Sequence, residues 1–237
     1  MKKHLISIII PMYNVSSYIN KCLQSIYNQT YSNFEVIMVD DNSNDNTVDK
    51  ARYWVQKDNR FVLYCQSYNQ GVSKSRNIGL KHSKGDLISF IDPDDYCDSD
   101  YLESFINNFN ADITITGFYY KNKPVKCLLK TGYYSKWFII LFMLINFGNI
   151  RGYVWNKCYS RSVIYKYNLY FDNDLSVMED MLFNINYILH INSVFYLNKP
   201  FYHYNVHSNS TIHNVNLHMI RDIIISIMRS IKLIIKN

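Results

Sequence analysis

A chain of 237 residues, 48% of them hydrophobic, is long enough for one large domain with a sizeable core. Its formal net charge of +6 suits anionic partners such as nucleotide diphosphates or phospholipid headgroups without choosing among them; nucleic acid is not expected. Five scattered cysteines (Cys22, Cys65, Cys97, Cys127, Cys158) with no Cys-x-x-Cys pair argue against a zinc site or a disulfide framework and fit reduced thiols in the cytoplasm.

The chain opens on a short apolar, β-branched run, Leu5 to Ile10, which reads as a strand buried on both faces. Six residues ending at Pro11 are too few for a signal-peptide core, so no secretory leader is expected. Ile19, Cys22, Leu23 and Ile26 follow with helical spacing. Phe34 to Val39 is a second strand, stopped by Asp40 and Asp41. Asp45 or Asn46 is placed to cap a helix carrying Val48, Ala51 and Val55. Phe61 to Cys65 reads as strand, Gly71 to His82 as helix and Leu87 to Ile91 as strand. Leu102, Phe105, Ile106 and Phe109 mark a further helix, and Ile113 to Phe118 another strand. Repeated βα units of this length predict an α/β fold with a mostly parallel sheet flanked by helices.

Beyond residue 119 the pattern weakens. Lys121 to Lys130 reads as hairpin or loop. A helix near 136–147, a strand near 153–159, a helix near 179–190 and a strand from Val194 to Tyr204 are expected. Phe138 to Ile145 is far shorter than the roughly 20 residues that span a bilayer. In the tail, Asp222, Ser226, Arg229 and Lys236 trace one helix face, and Ile220, Ile224, Ile227, Ile231 and Ile234 the other. With Arg221 and Lys232 nearby, that helix has three readings: a core element, a dimer contact, or a peripheral seat on an anionic leaflet.

In open parallel sheets, ligands sit beyond the carboxyl ends of the strands. Three such ends are loaded here: Pro11-Met12-Tyr13-Asn14, Asp40-Asp41-Asn42-Ser43 and Asp92-Pro93-Asp94-Asp95. The chain has no Gly-x-Gly-x-x-Gly and no phosphate-binding Gly-Lys loop. Carboxylates repel a diphosphate unless a cation lies between them, and oxygen ligands suit Mg²⁺ or Mn²⁺.

Five stretches, Ser7 to Asn14, Ser25 to Thr30, Phe34 to Ser43, Asn69 to Leu80 and Gly85 to Asp95, resemble in order the inverting family 2 glycosyltransferases of GT-A (Rossmann-like) fold. The resemblance is close over residues 5–118 and looser beyond. It implies a nucleotide-sugar-binding part in 1–118, an acceptor-side part in 119–214 and a C-terminal amphipathic helix in 215–237, the extension being mainly helical. By the same resemblance, Pro11, Tyr13, Asn14, Asp41, Arg76, Asn77, Asp92, Asp94 and Lys157 bind the donor, with Asp41 accepting hydrogen bonds from the base. Asp94 and Asp95 hold Mn²⁺ or Mg²⁺. Glu179-Asp180 supplies the catalytic base, Asp180 ahead of Glu179, although two acids also suit any first helical turn. Tyr202 to Ser210 resembles a late motif that often carries an arginine; Asn205 stands in its place, and His203 or His207 could take over a phosphate contact.

The implied activity is metal-dependent, inverting transfer of a hexosyl or N-acetylhexosaminyl group from a UDP-sugar to a glycan or lipid-linked acceptor. It would serve polysaccharide or glycan synthesis in the cytoplasm or at the inner membrane face. The competing readings are a catalytically inactive nucleotide-binding scaffold and a nucleotidyl-transfer enzyme.

Overall fold

The computed structural model describes residues 4–108, 111–206 and 217–236. Four strands form its parallel half: β1 (Ile6–Met12), β2 (Phe34–Asp40), β3 (Phe61–Cys65) and β4 (Leu87–Phe90). Helices α1 (Ile19–Tyr27), α2 (Thr47–Lys57) and α3 (Val72–His82) connect them. β1 is buried at every residue, because helices cover both faces of the sheet there. α3 lies so close to β1 that a Cβ on Gly79 would come within 2.3 Å of the Ile9 side chain. No larger residue fits that crossing.

The second half extends the same sheet. After β5 (Tyr96–Cys97) and α4 (Tyr101–Ile106) come β6 (Ile113–Tyr120), β7 (Lys123–Pro124), β8 (Gly132–Tyr134) and α5 (Lys136–Leu144). They are followed by β9 (Lys157–Ser160), α6 (Arg161–Lys166), α7 (Glu179–Leu189), β10 (Val194–Tyr204) and α8 (Leu217–Lys236). The strand order is β3-β2-β1-β4-β9-β6-β10-β5, with β7 on β6 and β8 on β10. β9 runs antiparallel between β4 and β6, and β10 lies parallel to β6. The sheet is therefore mixed: the first βα units are all parallel, and in the second half only the β6–β10 pair is parallel. Lys121–Lys130 holds a tight hairpin at β6–β7, with Lys121 and Asn122 at φ 49° and 60°. The expected strand near 153–159 starts only at Lys157, since residues 153–156 form a loop. Phe109, expected to close α4, lies outside the described residues.

Two cores flank the sheet. One is built from α1, α2 and β1–β2 side chains together with Trp155 and Tyr202; the other is built from α5, α7 and the opposite sheet face, centred on Phe90, Phe171 and Phe183. Each fully buried side chain of this size contributes about 1.5–3 kcal/mol of transfer free energy. α8 seats its polar stripe inward: Asp222, Ser226 and Ser230 are buried and most of its isoleucines are exposed.

Candidate active site

The topology delivers the carboxyl ends of β1, β2 and β4 to one edge of the sheet, and β9 begins at that edge because it runs the other way. At the end of β1, Pro11 is buried and Tyr13 is exposed. Asn14 takes φ 51°, a left-handed turn that Asn tolerates well. Its Oδ1 accepts from the Asn44 amide at 2.8 Å and its own amide donates to Ser43 Oγ at 2.9 Å, tying the first strand end to the second.

Asp41 is buried. Its carboxylate accepts from Gln66 Nε2 and from the amides of Gln70 and Gly71, each at 2.7 Å. Burial pushes this carboxyl above its ordinary value, against the pull of the two amides. Asp41 thus closes the turn into α3, and its acceptors are engaged within the chain. Asn77 is likewise pinned: its amide exchanges two 2.8 Å bonds with the Phe171 backbone.

Arg76 joins the two halves. One guanidinium nitrogen donates to Glu179 Oε1 at 2.9 Å and Asp180 Oδ1 at 2.7 Å; the other donates to Asp92 Oδ1 at 3.2 Å. Burial works against the cation, but Asp180, Asp92 and Glu179 outweigh it and hold Arg76 above its usual value. Asp180 sits in the first turn of α7, where the helix dipole favours an acid. Its Oδ2 accepts from the Val154 amide at 3.3 Å. Burial pushes the Asp180 carboxyl up to about 8, opposed by Arg76 and assisted by Glu179 and Asp92.

In the β4 turn, Asp92 and Asp94 are half-buried, whereas Asp95 is 1% exposed. Asp95 Oδ2 accepts from the Tyr202 hydroxyl and Oδ1 from the Asn205 amide, both at 2.7 Å. The same hydroxyl accepts from the Asp92 amide at 3.0 Å. Burial, with repulsion from Asp94 and Asp92, drives the Asp95 carboxyl well above its ordinary value. Asp95 therefore braces the turn from inside. Among the described residues no group of three or more His, Cys, Asp or Glu could hold a metal ion. The donor set still suits Mg²⁺ or Mn²⁺ held jointly with substrate, which takes one or two carboxylates plus phosphate oxygens and water.

Lys157 is fully buried at the start of β9. It donates to the carbonyls of Arg151 and Tyr153 and to Asn156 Oδ1 at 2.9 Å, and burial lowers its ammonium to about 7, against Asp180. It organises the loop that presents the Val154 amide to Asp180 and does not point at the open edge. Asn205, in the place of the expected arginine, donates its amide to Asp95. His203 stacks between Tyr96 and Tyr119, both at 4.3 Å, and meets Asp98 at 2.8 Å, a structural setting. His207 lies outside the described residues. Sequence reasoning placed Tyr202 in a motif without giving it a role and missed Asn184, which binds the Gly152 carbonyl at 2.7 Å and the Asp180 carbonyl at 2.9 Å. The contacts that fix their roles, Tyr202 with Asp95 and Asn184 with Gly152, join residues remote in sequence.

The sheet edge is built from carboxylates rather than glycine loops, and a buried arginine ties it to an acidic helix start in an α/β fold. The chain belongs to Glycosyl transferase family 2, whose sequence model matches residues 7–167. It is 33% identical over 233 residues to the putative glycosyltransferase EpsH of Bacillus subtilis, covering 90% of this chain and 64% of EpsH. It is 37% identical over 107 residues to the Escherichia coli UDP-Glc:alpha-D-GlcNAc-diphosphoundecaprenol beta-1,3-glucosyltransferase WfgD, covering 45% and 42% of the two chains. The crystal structure of Staphylococcus aureus TarS 1–349 in complex with UDP superposes with a TM-score of 0.72 at 26% identity, covering 85% of this chain and 60% of that one. The fold is thus GT-A, and the chain spans only part of each of these relatives.

Proposed function

We propose that the protein transfers a hexosyl or N-acetylhexosaminyl group from a UDP-sugar to a hydroxyl of a glycan or lipid-linked acceptor, with inversion, in polysaccharide or glycan synthesis. The observation that carries this reading is Arg76, whose guanidinium joins Asp92 of the donor-side turn to Glu179 and Asp180 of α7. Two sites from opposite halves of the chain are thereby fixed at one edge. The WfgD and TarS likenesses support a UDP-linked donor.

Tyr13 and Asn14 line the nucleoside side, and Asp41 holds the α3 turn beside them. Asp94 and the half-buried Asp92 face the diphosphate. A divalent cation held there with Asp94 would supply charge neutralisation as the nucleoside diphosphate departs. Asp180 accepts the proton of the acceptor hydroxyl while that oxygen bonds to the anomeric carbon and the carbon–phosphate-oxygen bond breaks. One in-line displacement inverts the centre. A carboxyl held above its ordinary value is a stronger base than a free aspartate, which suits proton abstraction from an alcohol. Asp180 carries one hydrogen bond on each oxygen, from Arg76 and from the Val154 amide, and its remaining lone pairs can take that proton.

That arrangement is also what an inactive nucleotide-binding scaffold would show. Incubation with a panel of nucleotide-sugars and Mn²⁺, with NMR assignment of the product anomer, separates the two. Turnover that Asp180→Asn lowers by about 10²–10⁴-fold with donor affinity kept supports the assignment. Tight UDP binding without turnover on any donor favours the scaffold.

A further inference from the structure

α8 is amphipathic, yet it is docked with its polar stripe toward the protein. Asp222 Oδ2 accepts from the Ser176 amide at 2.9 Å and hydroxyl at 2.6 Å. Ser226 Oγ donates to the Met178 carbonyl at 3.1 Å, and Arg229 pairs with Asp172. The opposite stripe faces solvent: Ile224 is 53% exposed, Met228 65%, Ile231 50% and Ile235 80%. A helix facing water has the reverse arrangement.

The charges sort in the same direction. The helix has a single acid, Asp222, and it is turned inward. Its exposed ionisable side chains are His218, Arg221, Lys232 and Lys236, all basic or neutral. No helix among the described residues is long and apolar enough to cross a membrane. We propose that the outward face of α8 docks in the plane of an anionic phospholipid surface, its isoleucines among the acyl chains and its lysines at the headgroups. A second copy of this chain fits the face less well. A symmetric pairing through α8 sets basic rims together, with no acid on the facing stripe to oppose them. The three attachments to residues 172–178 give the docking a consequence: the helix that meets the lipid also holds the segment leading into Glu179 and Asp180.

The test is flotation of the full chain with phosphatidylcholine vesicles and with vesicles of phosphatidylcholine and phosphatidylglycerol in equal parts. Binding is expected with the mixed vesicles and not with phosphatidylcholine alone. Ile224→Glu with Ile231→Glu should lower the partition coefficient at least about tenfold with unchanged circular dichroism, because both positions are exposed. Lys232→Ser should lower it about fivefold. Absence of binding to the mixed vesicles overturns the proposal. So does a dimer by light scattering that the double glutamate variant dissociates, which assigns the face to a second copy. Equal binding to both vesicle types overturns the anionic assignment. None of these readouts depends on transferase activity.

Discussion

At the scale of single residues, the site depends on how one buried cation and several carboxylates share charge. Arg76→Gln leaves Asp92, Glu179 and Asp180 without their common partner. Breaking a buried pair from one side costs about 3–5 kcal/mol, so the urea midpoint should fall sharply. The sign of the pH effect follows from the same geometry. Asp180 works only when ionised, and burial has already raised its carboxyl to about 8. Activity should therefore fall as the pH drops through that region. Removing Arg76 removes the opposing pull and should move this acid limb to higher pH. A pH profile of kcat/KM for the acceptor that stays in place would detach Arg76 from the base. Asp94 and Asp95 should separate in a similar way. Asp94→Ala should lose metal-dependent donor affinity, read by calorimetry with Mn²⁺ and UDP. Asp95→Ala strands the Tyr202 hydroxyl and the Asn205 amide, and should also lose about 1–3 kcal/mol of stability.

At the scale of elements, the segment before α7 is held from α8 as well as by its own turn at Asp172. Met178, the residue that caps α7, sits at φ 63°, a left-handed conformation costly for a residue with a side chain. Ser226 and Asp222 fix the backbone on either side of it. Asp222→Ala should thus loosen Asp180 without touching the donor side: kcat falls, UDP affinity holds, and hydrogen exchange in residues 172–178 rises. A fall in both kcat and UDP affinity would instead point to general unfolding. β9 plays the matching part on the other flank, where Lys157 and Asn184 hold the loop that offers the Val154 amide to Asp180.

At the scale of the whole molecule, one sheet runs through the chain from β3 to β5. β6 passes directly across residue 118, and the family model matches beyond it to residue 167. Urea unfolding followed by tryptophan fluorescence and by far-ultraviolet circular dichroism should therefore coincide in one transition, since Trp54 and Trp155 belong to the same core. Separate midpoints would mean that the acceptor-side half unfolds on its own.

What the sequence by itself determined is local or periodic. The apolar run of β1, the i, i+3, i+4 spacing of α1 and the acidic strand ends are visible because strand burial, helix faces and turn chemistry repeat over a few residues. That made the parallel half, its carboxylate-bearing edge and its family membership legible. The tertiary structure alone decided the rest. It turned Asp95 inward onto Tyr202, took up Asp41 and Lys157 inside the chain, brought Arg76 to Asp180 across 104 positions, and pointed the polar stripe of α8 at the protein. Periodicity says that a helix has two faces, but only its partners decide which face meets them. A carboxylate becomes brace, ligand or base through neighbours that lie far away in the chain.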